Sequence, residues 1–366
     1  MGKAIGQPLN KLKHMAKNYR QLTESIKGRI NPENFALRKS FSDELATVSY
    51  SEVLTYIRVS MKGVEPEYTK KSKDAGERVK DHLSKKIGDV TFKYQGSVMT
   101  DTHIKGYSDI DLLTISEKFY TYDATRVKQI LESYEHRAKY RQSSIEKMER
   151  EVNTSSYQGN VLQDLRQLRL DSESTLEEVY DICDTSKPKS IKIKNQSLNR
   201  EVDVVIANWY DDVSSIINEK GDYRGIQVYN KETNSKGDPD FPFLSIKRIN
   251  ERSSETNGRL KRMIRFLKNV KADSDQDIDL SSFDINAVCY DIDVSKYQTL
   301  SFYELVPVIY NQLKEICTSQ TKADSIISVD GREYIFKYNS KKLNNLKILM
   351  AEVEGIFIDL RKTLGI

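Results

Sequence analysis

The spacing of apolar side chains divides the chain into a mixed first part and a helical second part. Apolar residues recur at helical spacing between positions 10 and 60 and again over 74–87, where Gly88 ends the run. Residues 90–94 then alternate between apolar and polar and predict a strand, and the apolar run at 110–115 predicts a buried strand. The predicted order is therefore helices, a strand, a polar loop and a buried strand.

A long helical stretch then interrupts the strands. Apolar residues follow helical spacing after Asp123 and again from Val161 to Cys183, with the polar segment 153–160 between the two runs. Matching apolar faces joined by a short polar link predict an antiparallel helical hairpin inserted over residues 124–183. A bracing insertion is the favoured role, and a sensor or partner-docking arm is the alternative.

Strand character returns at 190–194 and at 201–206. Alternation in the second of these strands places Asp203 on the opposite side from Val202 and Val204. Asp203 is therefore predicted to face the acids of the earlier buried strand from a neighbouring strand.

The second half of the chain is predicted to be largely helical. The helix over 259–270 has an apolar face and a basic stripe of Lys261, Arg265 and Lys268, whose spacing of four and three residues places them on one side. A closing amphipathic helix runs through 343–360.

Length and composition complete the predicted architecture. At 366 residues the chain is too long for one compact core, and its polar segment 221–241 predicts a boundary between two lobes. We therefore expect an α+β fold with helices over 1–60 that brace the sheet lobe, a mixed-sheet lobe over 61–220 and a helical lobe over 221–366.

The composition is that of a soluble protein, with 38% apolar and 31% charged residues. The sequence has no run of 18 apolar residues and its N-terminus lacks an apolar signal core, so we expect a cytoplasmic protein without membrane contact. Its three cysteines lie far apart, and this spacing indicates neither a disulfide framework nor a zinc site.

Two aspartates, Asp109 and Asp111, stand one residue apart at the buried strand. Residues two apart on a strand point to the same side, so both carboxylates leave one face together. Like charges this close repel each other, and the pair needs a cation or a shared proton. A divalent metal is the simplest solution. The structural alternative is a turn-stabilising Asp109 with a solvated Asp111.

A glycine and a small hydroxyl residue precede this pair. Gly96 and Ser97, if they begin a helix, would offer backbone N–H groups and a hydroxyl to a phosphate. Beside such a site, Lys261 and Lys268 become candidate phosphate contacts, although a basic stripe is more often a solvated face.

These residues together resemble a known family. Four motifs, Gln95-Gly96-Ser97, Thr102–Lys105, Asp109-Ile110-Asp111 and the later strand with Asp203, resemble the polymerase beta-like nucleotidyltransferase superfamily. The pattern is closest to the bacterial cGAS/DncV-like group, the CD-NTases of antiphage signalling. A second block, 242–271 with 281–285, resembles the helical half of that family.

The resemblance covers most of residues 50–310 and includes two departures. Leu244 stands where the family often has histidine, and the connection between the second and third aspartates is unusually long.

The resemblance implies a mechanism and a set of site residues. Asp109, Asp111 and Asp203 would hold two Mg²⁺ ions, with Mn²⁺ as an alternative, and Asp203 would help to take the proton of the attacking hydroxyl. The nucleotide triphosphate would be held by residues at both sides of the cleft: Gln95, Gly96, Ser97, Lys261, Lys268, Ser281 and Ser282.

The implied product is a cyclic di- or trinucleotide messenger, made from NTPs and bound by a downstream effector in antiphage (CBASS) defence. Between Lys247 and Lys271 the only aromatic residue is Phe266, which favours a small nucleotide acceptor over a polymer track. Two alternatives stay open, a nucleotidyltransferase that makes a linear product or modifies RNA or protein, and a non-catalytic nucleic-acid-binding scaffold. Basic clusters at 70–73 and 187–194 could also bind an RNA activator.

Overall fold

The computed structural model of the protein describes residues 17–28, 51–104 and 110–365. The helices and strands of the first half are, in chain order, α1 (Tyr19–Gly28), α2 (Glu52–Met61), α3 (Pro66–Ser84), β1 (Val90–Gln95), β2 (Ile110–Tyr122), α4 (Ala124–Glu132), α5 (Tyr134–Arg137), α6 (Gln142–Val152), α7 (Val161–Glu177), β3 (Cys183–Asp184), β4 (Ile191–Asn195) and β5 (Arg200–Asp211).

The second half of the chain is mainly helical. It contains α8 (Val213–Ile217), β6 (Gly225–Asn230), β7 (Ser235–Lys236), α9 (Pro242–Glu255), α10 (Arg259–Asp273), α11 (Ser282–Tyr290), α12 (Leu305–Thr318), α13 (Gln320–Ser325) and α14 (Ser340–Leu364). Two short 3₁₀ turns lie at Gly221–Tyr223 and Val294–Lys296. Within the described ranges none of the helices combines the length and the apolar character that a membrane crossing needs.

The strands form one mixed sheet in the order β1-β2-β5-β4-β3, with β6 paired to β5 and β7 to β6. Strands β2 and β5 are parallel, whereas β1, β4 and β6 run antiparallel to their neighbours. The sheet therefore continues past residue 220, where the sequence had indicated the end of the first lobe.

Alternation along β2 and β5 sends side chains to two different surroundings. One face, with Leu112 and Val204, packs against α3 and α7 in an apolar cluster. The other face, with Leu113 and Val205, forms a smaller cluster with Trp209. Odd-numbered positions share this second face, so it also carries Asp111 of β2 and Asp203 of β5.

The predicted helical hairpin is wrong. The first half of the 124–183 stretch is broken into α4, α5 and α6, and α6 packs against α4 and α8 through Ile145 and Met148. Helix α7 instead packs on the sheet beside α3, through residues such as Leu165 and Leu176. The apolar residues of α6 and of α7 do have helical spacing. Those of α6 are buried against α4 and α8, whereas those of α7 are buried against the sheet and α3.

The two described N-terminal helices, α1 and α2, pack in the helical lobe and not on the sheet lobe as predicted. Tyr19 of α1 and Tyr56 and Ile57 of α2 lie in the core of the helical lobe, together with residues of α10 and α14. Residues 1–16 and 29–50 of this predicted helical stretch fall outside the described residues.

Candidate active site

Two acidic side chains meet at the start of the two parallel strands. Asp111 on β2 and Asp203 on β5 are direct register partners, and Gln95 at the end of β1 is the partner of Asp111 on the other side. The prediction that Asp203 lies beside the acids of the earlier strand is thus confirmed for Asp111. Asp109 lies within 105–109, outside the described residues.

Gly96 is required at its position by both its backbone and its neighbour. Its φ angle is +87°, a conformation that favours glycine, and a Cβ atom there would lie 2.6 Å from Oδ2 of Asp111. The close approach holds the backbone of the loop against the carboxylate. This fits the prediction that Gly96 belongs to the site.

The segment after Gly96 is a series of turns, in agreement with the predicted polar loop, and Gly96 and Ser97 do not begin a helix. The amide of Met99 donates to the carbonyl of Gly96 at 3.2 Å, and the amide of Thr102 donates to the carbonyl of Ser97 at 3.0 Å. The chain therefore curls back within a few residues without beginning an α-helix, and Ser97 is presented by a compact loop.

Helix α10 of the helical lobe holds this loop from the other side. Arg265 is 7% exposed and its guanidinium donates to the carbonyls of Met61, at 2.9 Å, and Asp101, at 2.6 Å. The ammonium of Lys268 donates to the carbonyl oxygen of Thr102 at 3.1 Å and is 3.3 Å from its hydroxyl. The predicted basic stripe is therefore partly a structural contact between the lobes, because Arg265 is used in packing.

A cleft of about 250 Å³ opens between the loop and the helical lobe. It brings together three residues that the sequence predicted for nucleotide binding, Ser97, Lys268 and Ser282, and one further lysine, Lys271. The residues lining it are Ser97, Ile104, Lys268, Lys271, Ala272, Leu280, Ser282 and Ile285.

Lys268 is the most strongly perturbed cation of the cleft. Burial lowers the pKa of Lys268 to about 8, because the charged ammonium is removed from water. Its protonated form therefore predominates below about pH 8. An anionic phosphate in the cleft would stabilise that form.

The other predicted phosphate contacts have different surroundings. The hydroxyl of Ser281 caps α11, since it exchanges hydrogen bonds with Asp284 in a capping box, whereas Ser282 begins the helix and lines the cleft. Lys261, which the sequence placed in the site, is not among the residues lining the cleft, and burial lowers its pKa.

Two basic residues near the site were missed by sequence reasoning. Lys271 lines the cleft one turn after Lys268 and donates to the carbonyl of Leu280 at 2.5 Å; its i+3 spacing could have identified it. The ammonium of Lys187 lies 3.9 Å from Oδ1 of Asp203. No local sequence signal links positions 187 and 203, which the fold brings together.

The described residues include two carboxylates that are candidate metal ligands. No group of three or more potential ligands occurs within 17–28, 51–104 and 110–365. Asp111 and Asp203 are nevertheless adjacent, and glycine at position 96 lets the loop backbone approach the Asp111 carboxylate closely. Carboxylate oxygens are the ligands that Mg²⁺ prefers, so the pair fits a hard divalent cation, with Asp109 as the candidate third member.

The two predicted RNA-binding clusters contain several lysines that pair with acids. Lys70 lies 2.7 Å from Asp74, and Lys192 lies 2.5 Å from Glu201. Activation by RNA stays a prediction from composition.

Comparison with known proteins identifies the family. Residues 247–357 match the cGAS/DncV-like nucleotidyltransferase C-terminal helical domain. A c-di-GMP synthase of Capnocytophaga granulosa is 53% identical over 352 residues, which cover 95% of this chain and 99% of that protein. This chain belongs to the bacterial cGAS/DncV-like nucleotidyltransferases. The CD-NTase resemblance of the sequence motifs and the prediction of an enzyme are confirmed.

Solved structures of the family agree with the fold described above. The STING-associated CdnE c-di-GMP synthase of C. granulosa superposes with a TM-score of 0.78 at 48% identity, over 94% of this chain and 99% of that one. A STING-associated CdnE c-di-GMP synthase from Flavobacteriaceae sp. gives a TM-score of 0.85 at 38% identity, over 95% and 99% of the two chains. The predicted α+β architecture, a CD-NTase sheet lobe with a C-terminal helical lobe, is confirmed.

Proposed function

We propose that this CD-NTase joins two GTP molecules into cyclic di-GMP. The observation that carries the proposal is the register pairing of Asp111 and Asp203 beside Gly96, with the neighbouring Ser97 lining a basic cleft. The choice of product is supported by relatives named c-di-GMP synthase at 53% and 43% identity over nearly the whole chain.

The proposed reaction consists of two nucleotidyl transfers. A ribose hydroxyl of one GTP attacks the α-phosphorus of the other, a new P–O bond forms, and the bond to pyrophosphate breaks. The hydroxyl of the resulting linear dinucleotide then attacks its own α-phosphorus, which closes the ring and releases the second pyrophosphate. Both transfers need the reacting groups held in line, which a cleft between two lobes can do.

The residues of the cleft have separate roles in this proposal. Ser97, Lys268 and Ser282 hold the triphosphate of the donor, and the first turn of α11 adds backbone N–H groups. Asp203 lies beside the attacking hydroxyl and accepts its proton. Asp111 and Asp203, with Asp109, would hold Mg²⁺, or Mn²⁺ in its place, which supplies positive charge where negative charge develops on the phosphate.

The cellular role follows from the product. Relatives described as STING-associated support a STING-type effector that binds the messenger. We place this signalling in antiphage (CBASS) defence in the cytoplasm. An RNA activator remains an additional proposal based on the basic clusters.

We expect GTP alone to be sufficient for a cyclic product. The purified protein is incubated with each NTP singly and in mixtures, and the products are analysed by mass spectrometry before and after phosphatase treatment. A ring has no terminal phosphate to lose and keeps its mass. Products that all lose mass would support a linear product, a requirement for ATP would exclude cyclic di-GMP, and no transfer at all would favour the scaffold alternative.

We expect Lys268→Ala to weaken GTP use in a pH-dependent manner. A charged contact to phosphate contributes on the order of 1.5 to 3 kcal/mol, so kcat/KM should fall by roughly 10- to 150-fold at pH 7. Because the pKa of Lys268 in the free protein is about 8, its charge is present below that pH and is lost above it. The difference between the wild type and the variant should therefore shrink at pH 9.

The control for this experiment is Lys347→Ala, since Lys347 is exposed on α14. Lys261→Ala provides a second comparison on the same helix as Lys268, and its position outside the cleft predicts the smaller loss. An unchanged kcat/KM in Lys268→Ala would contradict the phosphate contact.

A further inference from the structure

The loop between β3 and β4, residues 185–190, is held by a buried arginine. Arg169 of α7 is 1% exposed, and one nitrogen of its guanidinium, Nη2, donates to three carbonyl oxygens of the loop. The distances are 3.3 Å to Thr185, 3.0 Å to Lys187 and 3.0 Å to Ser190. Glu173 balances the charge, since its Oε1 accepts from Nε of Arg169 at 2.7 Å.

A lysine from the β6–β7 connection holds the same loop from another side. The amide of Lys231 donates to the carbonyl of Pro188 at 2.9 Å, and its ammonium donates to the carbonyl of Thr185 and, at 2.9 Å, to Glu173. Removing charged groups from water is costly, so this arrangement is stable only because the loop carbonyls and Glu173 satisfy the donors. The backbone of the loop is therefore fixed.

The fixed loop presents Lys187 to the active site. The Lys187 ammonium is 3.9 Å from Oδ1 of Asp203, too long for a hydrogen bond, and its side chain is 42% exposed. The backbone of Lys187 is held in place while its charged end is able to move. Such a side chain can leave Asp203 for a nearby anion at little cost.

The order of the strands determines which nucleotide this lysine can reach. Across the sheet the order is β1, β2, β5, β4 and β3, so Gly96 and Ser97 at the end of β1 lie on one side of the Asp111–Asp203 pair and the β3–β4 loop lies on the other. The cleft with Lys268 is on the Ser97 side. If that cleft holds the donor triphosphate, the loop faces the second nucleotide.

We propose that Lys187 binds the phosphate of the acceptor nucleotide and that Arg169 is a positioning residue that acts through the 185–190 loop. The inference rests on the proposed function, because it assumes two nucleotides at one site. In the first transfer the phosphate is that of the acceptor GTP, and in ring closure it is a phosphate of the linear dinucleotide. This assigns a role in catalysis to part of the long connection between Asp111 and Asp203.

The test uses acceptors with and without a phosphate. Trace α-³²P-labelled GTP is the donor, and an excess of either GMP or guanosine is the acceptor. We expect Lys187→Ala to lower transfer to GMP by about tenfold and to leave transfer to guanosine within about twofold of the wild type. Lys187→Arg, which keeps the charge, should retain most of the transfer to GMP.

Two further variants separate the proposal from a general structural effect. Lys189→Ala removes an exposed lysine from the same loop and should change neither rate. Arg169→Lys keeps one cation, but its ammonium ends one atom short of the Nη2 position and the side chain has no separate Nε donor for Glu173, so it should reproduce the selective loss with GMP. Because the Lys187 side chain is 42% exposed, Lys187→Ala should fold. If Arg169→Lys does not fold, the results with Lys187→Ala alone test the proposal.

Two outcomes would overturn the inference. Equal losses with GMP and guanosine in Lys187→Ala would indicate a general defect at Asp203, and no loss with either would show that Lys187 does not contact substrate. Failure of the proposed function is distinguishable, because then the wild type itself would transfer no nucleotide to either acceptor.

Discussion

Replacing Asp111 with asparagine should abolish nucleotidyl transfer while the protein stays folded. Asp111 is the register partner of Asp203, and its carboxylate lies against the backbone of Gly96. Charge stabilisation at the reacting phosphate is worth several kcal/mol, and about 4 kcal/mol corresponds to a loss of about 10³-fold in rate. The measurement is single-turnover formation of product from labelled GTP. The same loss is expected for Asp109→Asn.

Thermal unfolding tests the metal assignment independently of activity. Like charges on directly opposed strand positions destabilise a sheet by about 0.2 to 1 kcal/mol, so without metal Asp111→Asn should melt at the same temperature as the wild type or slightly higher. A cation that binds only the folded state raises the melting temperature, and this shift with Mg²⁺ should disappear in the variant.

Asp89→Asn is the matched control for Asp111→Asn. It makes the same chemical change at an exposed residue beside the other end of β1. It should retain both activity and the Mg²⁺-dependent shift. Wild-type turnover in Asp111→Asn would disprove the role of this carboxylate.

Substituting alanine for Gly96 should cause the second largest loss. The new Cβ would lie 2.6 Å from Oδ2 of Asp111, closer than unbonded atoms approach, and the φ of +87° is strained for any residue with a side chain. Either the carboxylate or the loop that carries Ser97 must move. A displacement of about 1 Å in a catalytic group can cost about 10²-fold in rate.

The control for this change is Gly88→Ala, just before the opposite end of β1. A Cβ atom at Gly88 meets nothing within 4 Å, so this variant should keep wild-type kinetics. Both variants are compared by kcat and by melting temperature. If Gly96→Ala were fully active, the close approach of the loop to Asp111 would have no catalytic importance.

The helical stretch between the two strands shows where sequence patterns lose their predictive power. Apolar spacing indicated helical structure in the runs that contain α4, α6 and α7, because a helix buries one face whatever its partner is, but it missed the breaks around α5 and the end of α7 at Glu177. It did not show that α6 packs against α8 through residues such as Met148 while α7 packs on the sheet. Tertiary packing determines which element covers an apolar face, and the periodicity of the sequence carries no information about that partner.

In the candidate active site, the sequence by itself identified residues that belong to short, recognisable motifs. Gly96 stands out in a Gly-Ser pair suited to phosphate, Asp111 by its spacing from Asp109, and Asp203 by its place in an alternating strand that can face them. Lys268 stands out less, as one member of a basic stripe.

Only the tertiary structure decided how the basic residues are used. It buried Arg265 between the lobes, placed Lys268 and Lys271 in the cleft, and brought Lys187 to Asp203 through a loop held by Arg169. Local patterns report which face of a helix or strand is apolar. Contacts between residues far apart in the chain depend on how whole elements pack, and that information is not present in any one stretch of the sequence.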